Sequence, residues 1–177
     1  MKRLLLALVL IALAVSSCDA QLRTINDMRV PAHKLPAAEY SGEHIVKSEA
    51  EWRKELPELA YFVLREKGTE PAFTGPLNYN EERGVYKCAG CGLHIFHTDQ
   101  KYDSRSGWPS FYAPYIDEHV KLVDDDSFNA LRTEVLCPRC DGHLGHVFDD
   151  GPKPTGLRYC INSAALTFEN SRIKNKE

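Results

Sequence analysis

Two Cys-x-x-Cys pairs, Cys88 with Cys91 and Cys137 with Cys140, constrain this chain more than any other feature. Each pair puts two thiols on a tight turn, with Gly92 or Gly142 close behind the second cysteine. A tetrahedral zinc ion takes four thiolates at about 2.3 Å, and two such turns present sulfurs two by two for that geometry. The 45 residues between Cys91 and Cys137 are too many for a compact ribbon. A metal here would instead clip two distant hairpins together, replacing loop-closure entropy with metal bonds. Four sulfur ligands leave no open coordination position, so one structural zinc per chain is expected. Two readings compete with it: disulfides, and a Cys-x-x-Cys redox centre.

The pattern around these turns is that of a sheet. From Val85 onward, short β-branched and aromatic runs alternate with Gly, Pro, Asn and Asp, which predicts antiparallel strands. They are expected near 85–87, 93–96, 119–123, 129–135, 146–148, 157–162 and 165–168. Ahead of them, Ser48 and Glu51 form a Ser-x-x-Glu capping box that opens a helix to about Leu56. Pro57 starts a second helix over 58–67, closed by Gly68. The expected fold class is therefore mainly β (α+β), with helices on the N-terminal side. Asp124, Asp125 and Asp126 read as a solvated turn, being too close together for a calcium loop. His94 and His97 read as ordinary sheet or surface residues.

The amino terminus addresses a different question. Lys2 and Arg3 precede an apolar run over 4–15, which reads as a secretory signal too short to span a bilayer comfortably. The run stops at Val15-Ser16-Ser17-Cys18, similar to the lipobox of bacterial lipoproteins, so Cys18 is expected to become a lipidated N-terminus holding the chain to a membrane. Cleavage after Ala20 is the competing reading. Expected boundaries are 1–17 signal, 18–44 lipidated tether, 45–170 catalytic domain and 171–177 tail. Removing 1–17 takes two of the 22 basic groups and none of the 25 acidic ones, so the net charge of −3 becomes −5. That balance argues against a nucleic-acid partner. An exported, monomeric, single-domain protein of the periplasm or cell envelope is expected.

Cys160 has no partner in this scheme. In 156–163, Gly-Leu-Arg-Tyr-Cys-Ile-Asn-Ser, strand alternation sends Leu157, Tyr159 and Ile161 to one side and Arg158, Cys160 and Asn162 to the other. A guanidinium two residues before a thiol favours the nucleophilic thiolate, and an amide two residues after it can orient an oxygen-bearing substrate. Cys160 is thus the candidate nucleophile; the alternative is a buried structural thiol.

Several motifs together resemble the B-type methionine sulfoxide reductases. They are Gly-Thr-Glu-Pro-Ala-Phe-Thr-Gly at 68–75, Tyr-Lys-Cys-Ala-Gly-Cys-Gly at 86–92 and Ser-Gly-Trp-Pro-Ser-Phe at 106–111, with the whole of 137–152 and Arg-Tyr-Cys-Ile-Asn-Ser at 158–163. The resemblance implies two small antiparallel sheets with N-terminal helices. It implies that Cys160 attacks the sulfur of the R epimer of methionine sulfoxide, mainly within oxidised proteins, leaving a sulfenic acid. His143, His146 and Asn162 match the polar cluster that handles the departing oxygen. Trp108 matches the aromatic that packs on the substrate methyl, with Val147 and Phe148 beside it on the substrate side. His143, Val147 and Asn162 also match the cysteine-dependent members of the family.

One position departs from the family. Its common resolving cysteine falls at Ser106, which cannot close a disulfide. Recycling is therefore expected from outside, by a thioredoxin-like protein or a small thiol. Two other functions fit parts of the chain: a zinc-knuckle binding module, and a Cys160-His146-Asn162 hydrolase.

Overall fold

The computed structural model describes residues 39–127 and 132–171. The expected signal, Cys18, most of the tether, part of the 129–135 strand and nearly all of the tail lie outside the described residues. Among the described residues two helices, α1 (Glu49–Glu55) and α2 (Glu58–Glu66), precede nine strands. Ser48 caps α1 in a reciprocal box with Glu51, satisfying two amides that a helix start otherwise leaves without acceptors. Leu56 is extended because the residue before a proline is pushed out of the helical region, and Pro57 then begins α2. Ala60, Tyr61, Val63 and Leu64 form the buried face of α2 at helical spacing. The helix closes one residue earlier than expected. Lys67, rather than Gly68, takes the left-handed conformation at φ 56°, and its ammonium reaches the Glu134 carboxylate at 2.9 Å.

The strands are β1 (Gly84–Cys88), β2 (His94–His97), β3 (Lys101–Tyr102), β4 (Ser110–Phe111), β5 (Lys121–Asp125), β6 (Arg132–Leu136), β7 (His143–Phe148), β8 (Arg158–Ile161) and β9 (Leu166–Asn170). They form a three-stranded sheet ordered β2-β1-β9 and a six-stranded sheet ordered β3-β4-β8-β7-β6-β5, antiparallel throughout. Two-residue strands β3 and β4 escaped sequence reading because they show no alternation. His119 belongs to a 3-10 turn before β5, and β7 starts at His143 rather than His146.

One buried cluster joins the helices to both sheets, including Trp52, Leu64, Tyr86, Phe96, Phe111 and Tyr159. Phe96 from the smaller sheet stacks on Phe111 from the larger at 4.3 Å, and Tyr86 meets Phe111 edge-on at 5.0 Å. Burying such a side chain contributes about 1.5–3 kcal/mol, so this contact is a principal tie between the sheets.

Candidate active site

One face of the larger sheet carries a polar row. By register Tyr102 lies opposite Ser110, Ser110 opposite Cys160, Cys160 opposite His146, and His146 opposite Glu134. Directly opposed residues share a face, so five strands contribute one group each to a single line. The other face of the same strands, Phe111, Tyr159, Val147 and Thr133, is buried core. Val147 is therefore not brought to the site, because alternation turns it away from Cys160. Phe148 does share the polar face, opposite Arg158, with the guanidinium 4.5 Å from its ring centroid.

His143 joins the row through a bulge. Between Val135 paired with Gly145 and Leu136 paired with His143, the register skips Leu144, which adds one residue to β7. Residues 143 and 146 would otherwise fall on opposite faces; here their rings are 5.3 Å apart and Leu144 goes into the core. A side chain at Gly145 would strike the Cys160 carbonyl, since its Cβ would lie 2.1 Å from that oxygen. His143 Nδ1 is 2.7 Å from Glu134 Oε1, and its Nε2 is buried with no partner among the described residues. Burial pushes the Glu134 carboxyl up, but His143 and Lys67 together hold it below the usual range. As an ionised carboxylate it only accepts, so Nδ1 carries the proton.

His146 is anchored by a residue the sequence reading missed. Its Nε2 donates to Asp125 Oδ2 at 2.9 Å, and the same oxygen accepts from Arg132 at 2.8 Å. Asp125 is no solvated turn: it ends β5 and faces the row, where Ser127, His146 and Arg132 overcome its burial and hold it well below the usual carboxylate range. Burial, with Arg132 and His143 nearby, lowers the His146 pKa despite Asp125. A cleft of about 580 Å³ opens over His143 and His146, bounded by Phe62, Lys67, Thr69 and Asp125.

Cys160 is half-buried, with Ser106 Oγ 3.8 Å from its sulfur. Ser106 is hydrogen-bonded in turn to Ser104 at 2.8 Å, and Ser104 to the buried Ser110 at 2.7 Å. Arg158 shares the Cys160 face as expected, yet Asp150 holds its guanidinium bidentately at 2.8 and 2.9 Å. Burial pushes the thiol above its ordinary value, and the opposing pull of Arg158 and Ser106 does not cancel it. The resting group is thus a thiol, not the thiolate expected from Arg158 alone. Tyr102, at the end of the row, buries a hydroxyl without a partner among the described residues.

Glu70, in the 68–75 loop, ties the remaining parts together. Its carboxylate accepts from the amides of Ser163 at 2.6 Å and Ala164 at 2.8 Å, its amide donates to Asn162 Oδ1 at 3.0 Å, and its carbonyl accepts from half-buried Trp108 Nε1 at 3.1 Å. Burial raises its carboxyl pKa, while the two amides pull it back. Asn162 completes the link by donating Nδ2 to the Leu144 carbonyl at 3.0 Å, which also accepts the Asn162 amide at 2.9 Å. A Cys160-His146-Asn162 hydrolase triad is absent from this arrangement. Asn162 is bound to Leu144 and Glu70, and His146 Nε2 to Asp125.

The four paired cysteines converge between the sheets. Cys88 and Cys91 flank the β1–β2 turn and Cys137 and Cys140 the β6–β7 turn, with all four sulfurs within 4.8 Å of one another. The two turns use the same bond, from Gly92 N to Cys88 O and from Asp141 N to Cys137 O, both 2.8 Å. In the second, Asp141 rather than Gly142 takes the left-handed conformation. The close sulfur pairs run between turns, Cys88 to Cys140 at 3.7 Å and Cys91 to Cys137 at 3.4 Å, and all four thiols are free. A tetrahedral ion with metal–sulfur bonds of about 2.3 Å needs sulfurs about 3.8 Å apart, so the set fits a four-thiolate metal. Its neighbouring thiols and burial push Cys88 well up, a crowding that a bound cation would relieve.

A family model described as the SelR domain matches residues 56–170. A peptide methionine sulfoxide reductase MsrB from Leptospira interrogans is 58% identical over 123 residues, covering 70% of this chain and 94% of its own length. The protein of the same name from Bradyrhizobium diazoefficiens is 55% identical over 127 residues, covering 72% and 91%. Another from Methanosarcina mazei is 51% identical over 133 residues, covering 75% and 95%.

Proposed function

The chain belongs to the SelR-domain family and is an oxidoreductase, a peptide methionine sulfoxide reductase of the MsrB type; from that premise we propose that Cys160 reduces the R epimer of methionine sulfoxide in oxidised proteins. The observation that carries this is the placement of one half-buried thiol in line with His146, on a face that the bulge also gives to His143. Cys160 sulfur attacks the sulfoxide sulfur and takes over its oxygen. The sulfoxide gains two electrons and leaves as the thioether, while Cys160 loses two and becomes a sulfenic acid. The thiol proton balances the step by ending on the transferred oxygen. His143 Nε2 is suited to meet that oxygen, having no partner among the described residues and a carboxylate behind Nδ1 to compensate charge on the ring. His146 stays neutral beside it and orients through Asp125. Trp108 offers its ring to the methyl group, held in place by Glu70.

Recycling then needs two external thiols. The first forms a mixed disulfide with Cys160 and releases water; the second frees Cys160 and leaves as the oxidised disulfide. A thioredoxin-like protein or a small thiol would serve, because the other described cysteines all sit in the metal cluster. We propose zinc for that cluster, acting structurally by joining the two hairpins, since four thiolates suit it and leave no site for substrate. The leader and Cys18 support an exported lipoprotein. Acyl chains on Cys18 in mass spectra of the native N-terminus would bear this out, whereas an N-terminus at Gln21 would exclude it.

The deciding assay supplies separated R and S sulfoxides of N-acetylmethionine with a dithiol and quantifies the thioether by chromatography. Only the R epimer should be consumed, and Cys160→Ser should consume neither. Preference for the S epimer, or activity in the serine variant, overturns the assignment.

A further inference from the structure

Four hydrogen bonds run in one line from the Cys160 sulfur to a backbone carbonyl. Cys160 Sγ is 3.8 Å from Ser106 Oγ, Ser106 Oγ 2.8 Å from Ser104 Oγ, Ser104 Oγ 2.7 Å from Ser110 Oγ, and Ser110 Oγ 3.2 Å from the Trp108 carbonyl oxygen. A hydroxyl carries one proton, and a carbonyl only accepts. Buried Ser110 therefore donates to Trp108, which obliges Ser104 to donate to Ser110 and Ser106 to donate to Ser104. The Ser106 amide also donates to Ser104 Oγ at 3.3 Å, so both lone pairs of that oxygen are occupied and its own proton can go only to Ser110. Four bonds need four protons. Three hydroxyls supply three, and the fourth is the Cys160 S–H, donated to Ser106. A thiolate leaves the line one proton short, because Ser106 can then donate to the sulfur only by abandoning Ser104.

We propose that Ser104 is a positioning residue which, by taking the Ser106 proton, holds resting Cys160 as the thiol, so that the nucleophile arrives with the proton that the transferred oxygen will take. The use of that proton rests on the reductase reading above; the direction of the hydrogen bonds does not. When the sulfur takes over the oxygen, the S–H bond breaks and its proton ends on that oxygen. Until then Cys160 is slow toward other electrophiles, since the thiolate is the reactive form. The charged and titratable groups facing the thiol do not replace this control. Arg158 on its own strand favours the thiolate but is held by Asp150, which opposes it. His146, opposite on β7, has a lowered pKa and is neutral above 6.5, and burial pushes the Tyr102 hydroxyl of β3 up to about 12. From β4 the neighbour is Ser110, a member of the line itself. Burial of the thiol acts in the same sense as the serines.

The test follows alkylation of Cys160 by iodoacetamide against pH, read at that residue in peptide mass spectra, for wild type, Ser104→Ala, Ser104→Thr, Ser106→Ala and the double variant Ser104→Ala with Ser106→Ala. Ser104→Ala frees the Ser106 proton for the sulfur, so its profile should move to lower pH and its rate at neutral pH should rise about tenfold, the order of one hydrogen bond to a charged group. Ser104→Thr keeps the hydroxyl and should keep the wild-type profile. Ser106→Ala and the double variant lack the proton that turns, and should react no faster than wild type. The two substitutions are thus strongly non-additive. Equal acceleration in Ser104→Ala and the double variant would mean that the loop has merely opened over Cys160, and overturns the proposal. A Ser104→Ala profile at or above the wild-type pH overturns it as well. The expected alkylation pattern in a wild type that leaves the R sulfoxide untouched would confirm the hold of Ser104 on the proton and remove the reductase reading, with the use of that proton.

Discussion

The Leu144 carbonyl, belonging to the extra residue of the β7 bulge, accepts both the backbone amide and the side-chain amide of Asn162, at 2.9 and 3.0 Å. A bulge leaves a carbonyl outside the regular ladder, and a buried carbonyl without a partner is costly. Asn162 supplies that partner, and so supports the register that sets His143 beside His146.

Asn162→Ala removes one of the two donors to Leu144 and leaves the Glu70 amide without its acceptor. Loss of a buried hydrogen-bond partner costs about 1–3 kcal/mol, so a clear fall in melting temperature is expected. The rate should fall further than unfolding accounts for, through misplacement of His143. Wild-type kcat/KM in the folded variant would show that the bulge does not depend on Asn162.

Thiol chemistry should show the effect of burial at Cys160. Its folded pKa lies above the ordinary 9.0, so alkylation of Cys160 by iodoacetamide should still accelerate as pH rises past that value. Arg158→Met removes the opposing pull and should move the profile higher. The folded protein holds this proton more tightly than the unfolded chain, so the contribution to stability is complete below pH 9.0 and is lost as pH rises through the folded value. An alkylation plateau reached by neutral pH would refute this account.

His146 and Asp125 predict the opposite sign at acid pH. The His146 pKa is lowered from 6.5, so its contribution is present above 6.5 and is lost as pH falls through the folded value. Asp125, lowered from 3.8, acts likewise at lower pH. Asp125→Asn takes away an interaction that raises the His146 pKa, so an NMR titration of the His146 ring should shift further to acid. A shift toward higher pH would contradict the assigned bond.

Ser106 gives the recycling route a geometric test. With its Oγ 3.8 Å from the Cys160 sulfur, Ser106→Cys should form an internal disulfide after one turnover and speed recycling by a thioredoxin-like reductant. Wild type under the same conditions should accumulate a sulfenic acid trapped by dimedone. A wild-type disulfide between Cys160 and one of Cys88, Cys91, Cys137 or Cys140 would exclude both the external route and a locked metal site.

One zinc per chain is expected by elemental analysis, and Cys88→Ser or Cys137→Ser should lower the melting temperature far more than Cys160→Ser. Structural zinc sites bind with about 10–16 kcal/mol, so a lost ligand cannot pass unnoticed. Well-folded protein free of metal would argue for another role of the four thiols.

Local chemistry made several parts of this protein legible. The Ser48 and Glu51 capping box, the turns at Cys88 and Cys137, and the alternation of Arg158 and Cys160 against Tyr159 and Ile161 all depend on neighbours within a few residues. The sequence therefore determined the helix start, the four-thiol cluster, the mainly β class and the strand that carries Cys160 opposite to Tyr159 and Ile161. Tertiary structure alone decided the rest, because it depends on register between distant strands. Strands β3 and β4 are too short to show a period and exist through their pairing with β8. Asp125 looked like one of three solvated acids until pairing of β5 with β6 aimed it at His146, 21 residues away. Glu70 stood in a recognisable motif without a role, since its partners Ser163 and Ala164 lie 93 and 94 residues on. His143 and His146 violate the strand period of two, and only a bulge seated on Gly145 and held by Asn162 puts both on the face of Cys160.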